Sequence, residues 1–208
     1  MSAESHHHVH GYWRRHFAAL FRWLHIYLSM VSFVILFFFA LTGITLNHAG
    51  WFAKNAARTR TQKGTVQLSW VKTADAISVD KLNIVEQLRA VHDIKGALEE
   101  FTVEDAQCML SFHGPGYTAD ATINRETGEY ELTETRMGFV AILNDLHKGR
   151  DTGSTWSWVI DISAALMVVV SLTGLALIFF LKRRRVTGVV ALILGGVLCY
   201  VIYSFFVP

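Results

Sequence analysis

The stretch IYLSMVSFVILFFFALTGITLNH, Ile26–His48, decides the fold class. From Ile26 to Leu46 it carries no charged side chain, and about 20 such residues are what a helix needs to cross the hydrocarbon core of a bilayer. Two later segments have the same character: residues 156–181, whose only charge is Asp161, and residues 186–207, which have none. The sequence therefore predicts three transmembrane helices.

The overall composition agrees with a chain that lies partly in lipid. Of its 208 residues, 52% are hydrophobic and 17% are charged, and the mean hydropathy is +0.33. Soluble domains carry about 25% charged residues. The first apolar run is too long for a cleavable signal peptide, and no small-x-small cleavage site follows it.

The positions of the basic residues predict the orientation. Arg14, Arg15 and Arg22 precede the first span, and four cations at 182–185 separate the second span from the third. Short loops rich in Lys and Arg stay in the cytoplasm. We therefore expect a bacterial inner-membrane protein whose large polar segment is periplasmic, and we interpret the basic residues as topology signals rather than a nucleic-acid patch.

These features predict six regions along the chain. They are a cytoplasmic tail with an interfacial helix (1–21), a first transmembrane helix (22–47), a periplasmic α+β domain ending in an amphipathic helix (48–155), a second transmembrane helix (156–181), a basic cytoplasmic loop (182–185) and a third transmembrane helix (186–207).

Several functions lack their sequence signals. Cys108 lies in the polar segment and Cys199 in the third span, so they cannot pair. There is no CxxCH, HExxH, nucleophile elbow, phosphate loop or dinucleotide fingerprint. The HHHVH segment at 6–10 is more typical of a disordered polar tail than of a metal-binding one.

The polar segment has the pattern of an α+β domain. Near-helical spacing of apolar residues predicts a helix before Gly96, on a face formed by Ala76, Leu82, Val85, Leu88 and Val91. Strands are predicted at 98–103, 107–112, 117–124 and 130–135, with Gly128 at positive φ in the last hairpin.

A second helix is predicted just before the second span. Phe139, Ile142, Leu143 and Leu146 fall on one helical face, and we expect that face to lie on the outer membrane surface.

Three histidines are placed where a cofactor could be held. His25 and His48 are 23 residues apart, about 35 Å of helix, so they lie at opposite ends of the first span. His147 precedes the second span and returns to the outer end, so a His48–His147 pair is geometrically plausible as an iron site. The alternative is that these histidines merely end helices.

Two further observations bear on that choice. His25 lies on the same helical face as Ser29, Ser32, Ala40 and Gly43, and small residues permit either close helix approach or room for a flat macrocycle. Asp161 lies about two turns inside the second span. It either orients a metal-ligating histidine from behind or reaches interfacial water.

The order of several motifs resembles that of PepSY-associated transmembrane proteins, over most of residues 22–181. The motifs are RWLHIYLSM (22–30), LTGITLNH (41–48), ATINRETGEY (121–130), DLHKGRD (145–151) and VIDISAALMVVVSLTGL (159–175). The resemblance implies a membrane helical bundle of three transmembrane helices with an inserted small α+β PepSY-like periplasmic domain.

The family includes inner-membrane reductases that use b-type haems to carry electrons outward, to ferric siderophores or to periplasmic redox proteins. The resemblance implies that His48 and His147 ligate an outer haem b, with Asp161 behind them, and that His25 ligates an inner haem. This chain has three spans rather than four or more, and the second and third contain no histidine. An inner haem would therefore need a homodimer in which each chain supplies its His25.

Two functions remain open on the sequence. The first is a haem protein that moves electrons from a quinol or a cytoplasmic donor to a periplasmic acceptor, with one haem per chain and a second shared across a dimer. The second is a membrane-tethered PepSY module, not an enzyme, that binds or regulates a periplasmic protein.

Overall fold

The computed structural model describes residues 4–52, 57–72, 79–181 and 183–208, with side chains from Arg15 onward. Ala76 of the predicted helical face, Lys182 of the basic loop and the side chains of the HHHVH segment and Arg14 lie outside the described residues. The elements are α1 (Glu4–Asn47), α2 (Ala49–Phe52), β1 (Arg58–Thr65), α3 (Leu68–Val71), α4 (Lys81–His92), β2 (Ala97–Val103), β3 (Gln107–Gly114), β4 (Tyr117–Asn124), β5 (Glu129–Arg136), α5 (Phe139–Lys148), α6 (Gly153–Phe180) and α7 (Arg185–Phe206).

The chain divides into two compact units. The membrane unit holds the residues up to Phe38 and those from Asp161 to the end, and the sheet unit is Phe39–Ile160. Three helices are long and apolar enough to cross a membrane, over Arg15–Asn47, Gly153–Phe180 and Arg185–Phe206. The predicted helical membrane protein with a small α+β domain is confirmed at this level. α1 continues without a break from Glu4, so the predicted boundary near residue 21 does not interrupt its backbone.

The membrane unit buries small polar side chains while most of its apolar side chains face outward. Ser32, Ser163 and Thr173 are buried, whereas α7 has no buried residue. This is the pattern of helices in lipid, where close approach at small residues, rather than burial of leucine, brings helices together.

The sheet unit is built on five antiparallel strands in the order β1-β5-β4-β3-β2. The four predicted strands are confirmed and differ by no more than two residues at either end. Gly128 has φ +76 in the β4–β5 turn, as predicted, and a Cβ there would lie 2.8 Å from Val66 O.

Strand β1 was not predicted, because its sequence RTRTQKGT has no apolar side chain. Its place is set by backbone pairing along the whole of β5, from Arg58 opposite Arg136 to Thr65 opposite Glu129. Gly64 lets the two strands pair without moving the Tyr130 side chain, since a Cβ would lie 2.4 Å from the Tyr130 hydroxyl.

One face of the sheet forms the core with α4. Ile84 and Leu88 of α4 are buried in one cluster with Phe112, Ile123 and Leu132 of the strands. The predicted face of this helix is confirmed at Val85 and Leu88, whereas Leu82 and Val91 are exposed. The helix begins at Asp80, whose side chain accepts from Asn83 N, and it ends before Gly96, at the left-handed Asp93.

The helix before the second span is confirmed as α5. It is fastened to the β3–β4 turn by Asp145, a carboxylate that is only 3% exposed. Its Oδ2 accepts from Gly116 N at 2.8 Å, and its Oδ1 is paired with Arg150. Burial of a carboxylate is tolerated here because both oxygens have donors.

Candidate functional site

His25 of α1 is held by a threonine and a glycine of α6. Its Nδ1 lies 3.0 Å from Thr173 Oγ1 and 3.2 Å from the carbonyl oxygen of Val170. The ring lies against Gly174, where a Cβ would stand 3.0 Å from His25 Cε1. Only glycine leaves the ring that space without a shift.

The hydrogen bonds around His25 assign the position of its proton. Thr173 Oγ1 donates to Val170 O at 2.8 Å, so it has a lone pair rather than a proton to offer the imidazole. Val170 O can only accept. Nδ1 of His25 is therefore the donor, and in the neutral ring Nε2 carries the free lone pair.

His147 of α5 is held in the same way in the sheet unit. Its Nδ1 lies 2.6 Å from Thr42 Oγ1, and Thr42 donates to Phe39 O, three residues earlier, at 3.3 Å. The ring packs edge-on against Phe39, and a Cβ on Gly43 would lie 3.8 Å from its Cε1. Thr42 Oγ1 therefore binds Nδ1 and fixes the ring, which leaves Nε2 outside that hydrogen bond.

The two sites use the same short motif. Leu41–Gly43 and Leu172–Gly174 both read LTG, and each threonine binds the Nδ1 of a half-buried histidine while each glycine faces the ring. A hydrogen bond on Nδ1 that fixes the ring and frees Nε2 is the usual arrangement behind a metal-ligating histidine.

His48 contacts Trp51 rather than His147. Its ring is stacked on Trp51 at 3.8 Å between ring centroids, with 6° between the planes. Its backbone N–H donates to Ile44 O, so it continues the helical turn. At 100° per residue, His48 lies on the opposite side of α1 from the Phe39–Gly43 face that contacts His147. The structure therefore does not bring the His48 and His147 rings together.

Asp161 lies in α6 of the membrane unit, and its side chain is exposed. The hydrogen-bond partners of the histidine rings in the structure are Thr173 at His25 and Thr42 at His147. A role for Asp161 stays a prediction.

The other histidines of the sheet unit have polar partners of their own. His92 Nε2 lies 2.7 Å from the Tyr130 hydroxyl, and burial together with Arg60 lowers the pKa of His92. His113 lies 2.8 Å from Ser111 Oγ and 3.8 Å from Asp151. These two histidines therefore join neighbouring parts of the sheet unit.

The donor set of the described residues indicates which kind of cofactor these residues could hold. Among the described residues, no group of three or more His, Cys, Asp or Glu side chains is arranged for a metal ion. A haem brings four nitrogens of its own, so it needs at most two protein ligands. Single imidazoles with a bonded Nδ1 and a free Nε2, such as His25 and His147, fit that requirement.

His25 and His147 were predicted as ligands from the sequence, whereas the side chains that hold their rings were not. Thr42, Thr173 and Gly174 lie within apolar runs, where they are typical of close helix packing. The repeat of LTG in two spans was the available signal. Asp145 was also missed, and only the structure shows that it is buried.

Comparison with known proteins agrees with the motif order. No curated protein and no solved structure matches the chain. A family model described as PepSY_TM-like matches residues 19–208, which takes in both LTG motifs, the sheet, α6, α7 and α1 from residue 19 onward. The chain therefore belongs to the PepSY_TM-like family, whose members are membrane proteins with a PepSY domain.

Proposed function

We propose that this chain is a b-type haem protein of the bacterial inner membrane, which carries electrons across the membrane to a periplasmic acceptor. The observation that supports this most directly is the pair of Thr-Gly sites. Each presents a half-buried imidazole with Nδ1 bonded and Nε2 available, in or beside an apolar helix.

His25 and His147 are the residues that would hold haem iron, through Nε2. The haem, when bound, supplies reversible one-electron transfer. Thr173 and Thr42 bind the Nδ1 atoms and fix the rings, and Gly174 and Gly43 leave room for the rings. His48 and Asp161 stay in the proposal as outer partners, and ligation by His48 requires its ring to leave Trp51.

The proposed orientation of the chain in the membrane is inferred from the positions of its basic residues. The cations before the first span and those at 183–185 are cytoplasmic, and the sheet unit is periplasmic. The electron donor is a quinol or a cytoplasmic protein, and the acceptor is a ferric siderophore or a periplasmic redox protein. A homodimer pairs two copies of His25 on one inner haem.

A visible spectrum of the detergent-purified chain, made with ample haem, tests the proposal. We expect a reduced α-band that is lost in part in His25→Ala and in part in His147→Ala. His92→Ala is the matched control, because His92 bonds Tyr130 within the soluble domain. A colourless wild-type protein would refute the proposal.

The side chains behind the ligands give a second, graded test. Thr42→Val and Thr173→Val keep the side-chain shape and remove the hydroxyl that binds Nδ1, so haem affinity should fall about 10- to 100-fold. Equal haem affinity in both variants would mean that these threonines only join helices.

The second candidate is a tethered binding module, and the open face of the sheet favours it. The face opposite α4 is polar, and it forms a shallow depression of about 550 Å³ lined by Lys63, Asp120, Thr122, Glu131 and Thr133 among others. If the pure chain is colourless, capture of a periplasmic protein that is lost in Thr122→Arg would support this function instead.

A further inference from the structure

A second groove in the sheet unit is apolar and has no part in the function proposed above. It lies between α2 and α5 and has a volume of about 250 Å³. Its lining includes Ala49, Phe52, Met137, Val140, Ala141 and Asn144. Asn144 is the polar side chain among its described lining residues, and the Asn144 Oδ1 already accepts from Thr45 Oγ1 at 2.7 Å.

The groove lies where the first apolar helix ends. α2 starts two residues after Asn47, the last residue of α1. Two hydrogen bonds, Thr42–His147 and Thr45–Asn144, fasten α5 to that same end of α1. The groove between α2 and α5 is therefore continuous with the end of a membrane span.

The surroundings of the groove are also those of a membrane interface. Trp51 of α2 is 70% exposed and Phe139 of α5 is 72% exposed. An exposed tryptophan beside the end of a span is typical of the headgroup level of a bilayer, and exposed apolar surface beside it is typical of a contact site. The open face of the sheet, by contrast, is polar.

We propose that this groove binds one acyl chain of a phospholipid from the leaflet beside the sheet unit. A methylene chain needs apolar contact and no hydrogen bonds, and the groove offers that combination. A peptide segment would bring backbone N–H and C=O groups to a surface with almost no partners for them. The bound chain fixes α2 and α5 to the bilayer, beyond the general surface contact of an amphipathic helix.

Photo-crosslinking of the full chain in lipid vesicles tests this. The probe is a phosphatidylcholine with a diazirine on one acyl chain, in phosphatidylethanolamine and phosphatidylglycerol vesicles, and the labelled residues are mapped by mass spectrometry. We expect label on Met137 and Val140. Ala141→Trp fills the groove, so it should lower that label at least fivefold while label on α7 stays unchanged.

Phe139 provides the control on the same helix, because it is exposed and is not among the lining residues. Label that is equal on Phe139 and Met137, and insensitive to Ala141→Trp, means surface contact only and overturns the proposal. Protein-to-protein crosslinks at the groove without lipid label also overturn it, in favour of a second copy. If Ala141→Trp does not fold, the ratio of label on Met137 to label on Phe139 in the wild-type chain decides, and a ratio of one or less overturns the proposal. None of these readouts depends on haem.

Discussion

Replacing Gly174 with alanine tests the close contact at His25. The added Cβ would lie 3.0 Å from Cε1, 3.6 Å from Nδ1 and 3.7 Å from Nε2 of the His25 ring. Carbon atoms attract best at about 3.5–4.0 Å, so the ring must move by a few tenths of an ångström. Such a shift also strains the bonds from His25 Nδ1 to Thr173 and Val170.

The expected cost can be worked from two opposing terms. Overpacking by one methyl group costs about 1–3 kcal/mol, while alanine favours a helix over glycine by about 0.8–1.0 kcal/mol. The net loss for Gly174→Ala is therefore on the order of 0–2 kcal/mol, or a few degrees of melting temperature for a chain of this size. Because the His25 ring is displaced, the haem signal that depends on His25 should also decrease in Gly174→Ala.

Gly43→Ala is the matched control, since the chain repeats the same motif with a looser contact. A Cβ on Gly43 would lie 3.8 Å from His147 Cε1, an ordinary distance. Only the helix-propensity term then remains, so this variant should be as stable as the wild type or more stable by up to about 1 kcal/mol. Melting followed by tryptophan fluorescence in detergent compares the three proteins.

A double variant isolates the contact itself. With His25→Ala present, the ring is gone and Gly174→Ala should no longer destabilise, so the two changes should be strongly non-additive. The reasoning is refuted if Gly174→Ala melts at a higher temperature than Gly43→Ala, or if its cost is the same with and without His25.

Three further predictions concern the sheet unit and the topology. Asp145→Ala should lower the free energy of unfolding by about 2–3 kcal/mol, because Gly116 N–H loses its acceptor and Arg150 its partner; a denaturant titration that gives less than about 0.5 kcal/mol would contradict this. The lowered pKa of His92 means that the folded domain binds fewer protons near pH 6 than the unfolded chain. Stability should therefore fall as the pH drops through about 6.5, and less steeply in His92→Gln; parallel melting curves of the two proteins between pH 7.5 and 5 would contradict this. Cysteines introduced at Thr59 and Thr187 should react with an impermeant maleimide from opposite sides of the membrane, and labelling of both from one side would reverse the orientation.

The regular strands were predictable because their side chains alternate between the core and solvent. In β4, Ala119, Ala121 and Ile123 are buried while Asp120 and Thr122 are exposed, and that alternation is visible in the sequence. Strand β1 has no such alternation. It forms because the backbone N–H and C=O groups at the edge of β5 pair with it. Such backbone pairing does not require any alternation of apolar and polar side chains in β1.

The histidines of the candidate site were predicted from the sequence, but their partners were not. Histidines in or beside apolar spans are conspicuous, so His25, His48 and His147 could be selected from the sequence. Which of them faces a neighbouring helix depends on rotation about the helix axis. His48 follows Gly43 by five residues, so it turns away from the face that meets His147 and stacks on Trp51 instead.

The sequence by itself determined the three spans, the α+β character of the polar segment and the end of each span at which each histidine lies. These follow from length, hydropathy and period, which are properties of the chain taken a few residues at a time. Only the tertiary structure decided that each LTG motif receives a histidine from another helix. That choice depends on contacts between residues 105 and 148 positions apart. The sequence does not show which side chain a threonine in an apolar helix will bind, because that depends on which imidazole the packing brings within hydrogen-bonding distance. It likewise does not show which glycine will have a ring packed against it.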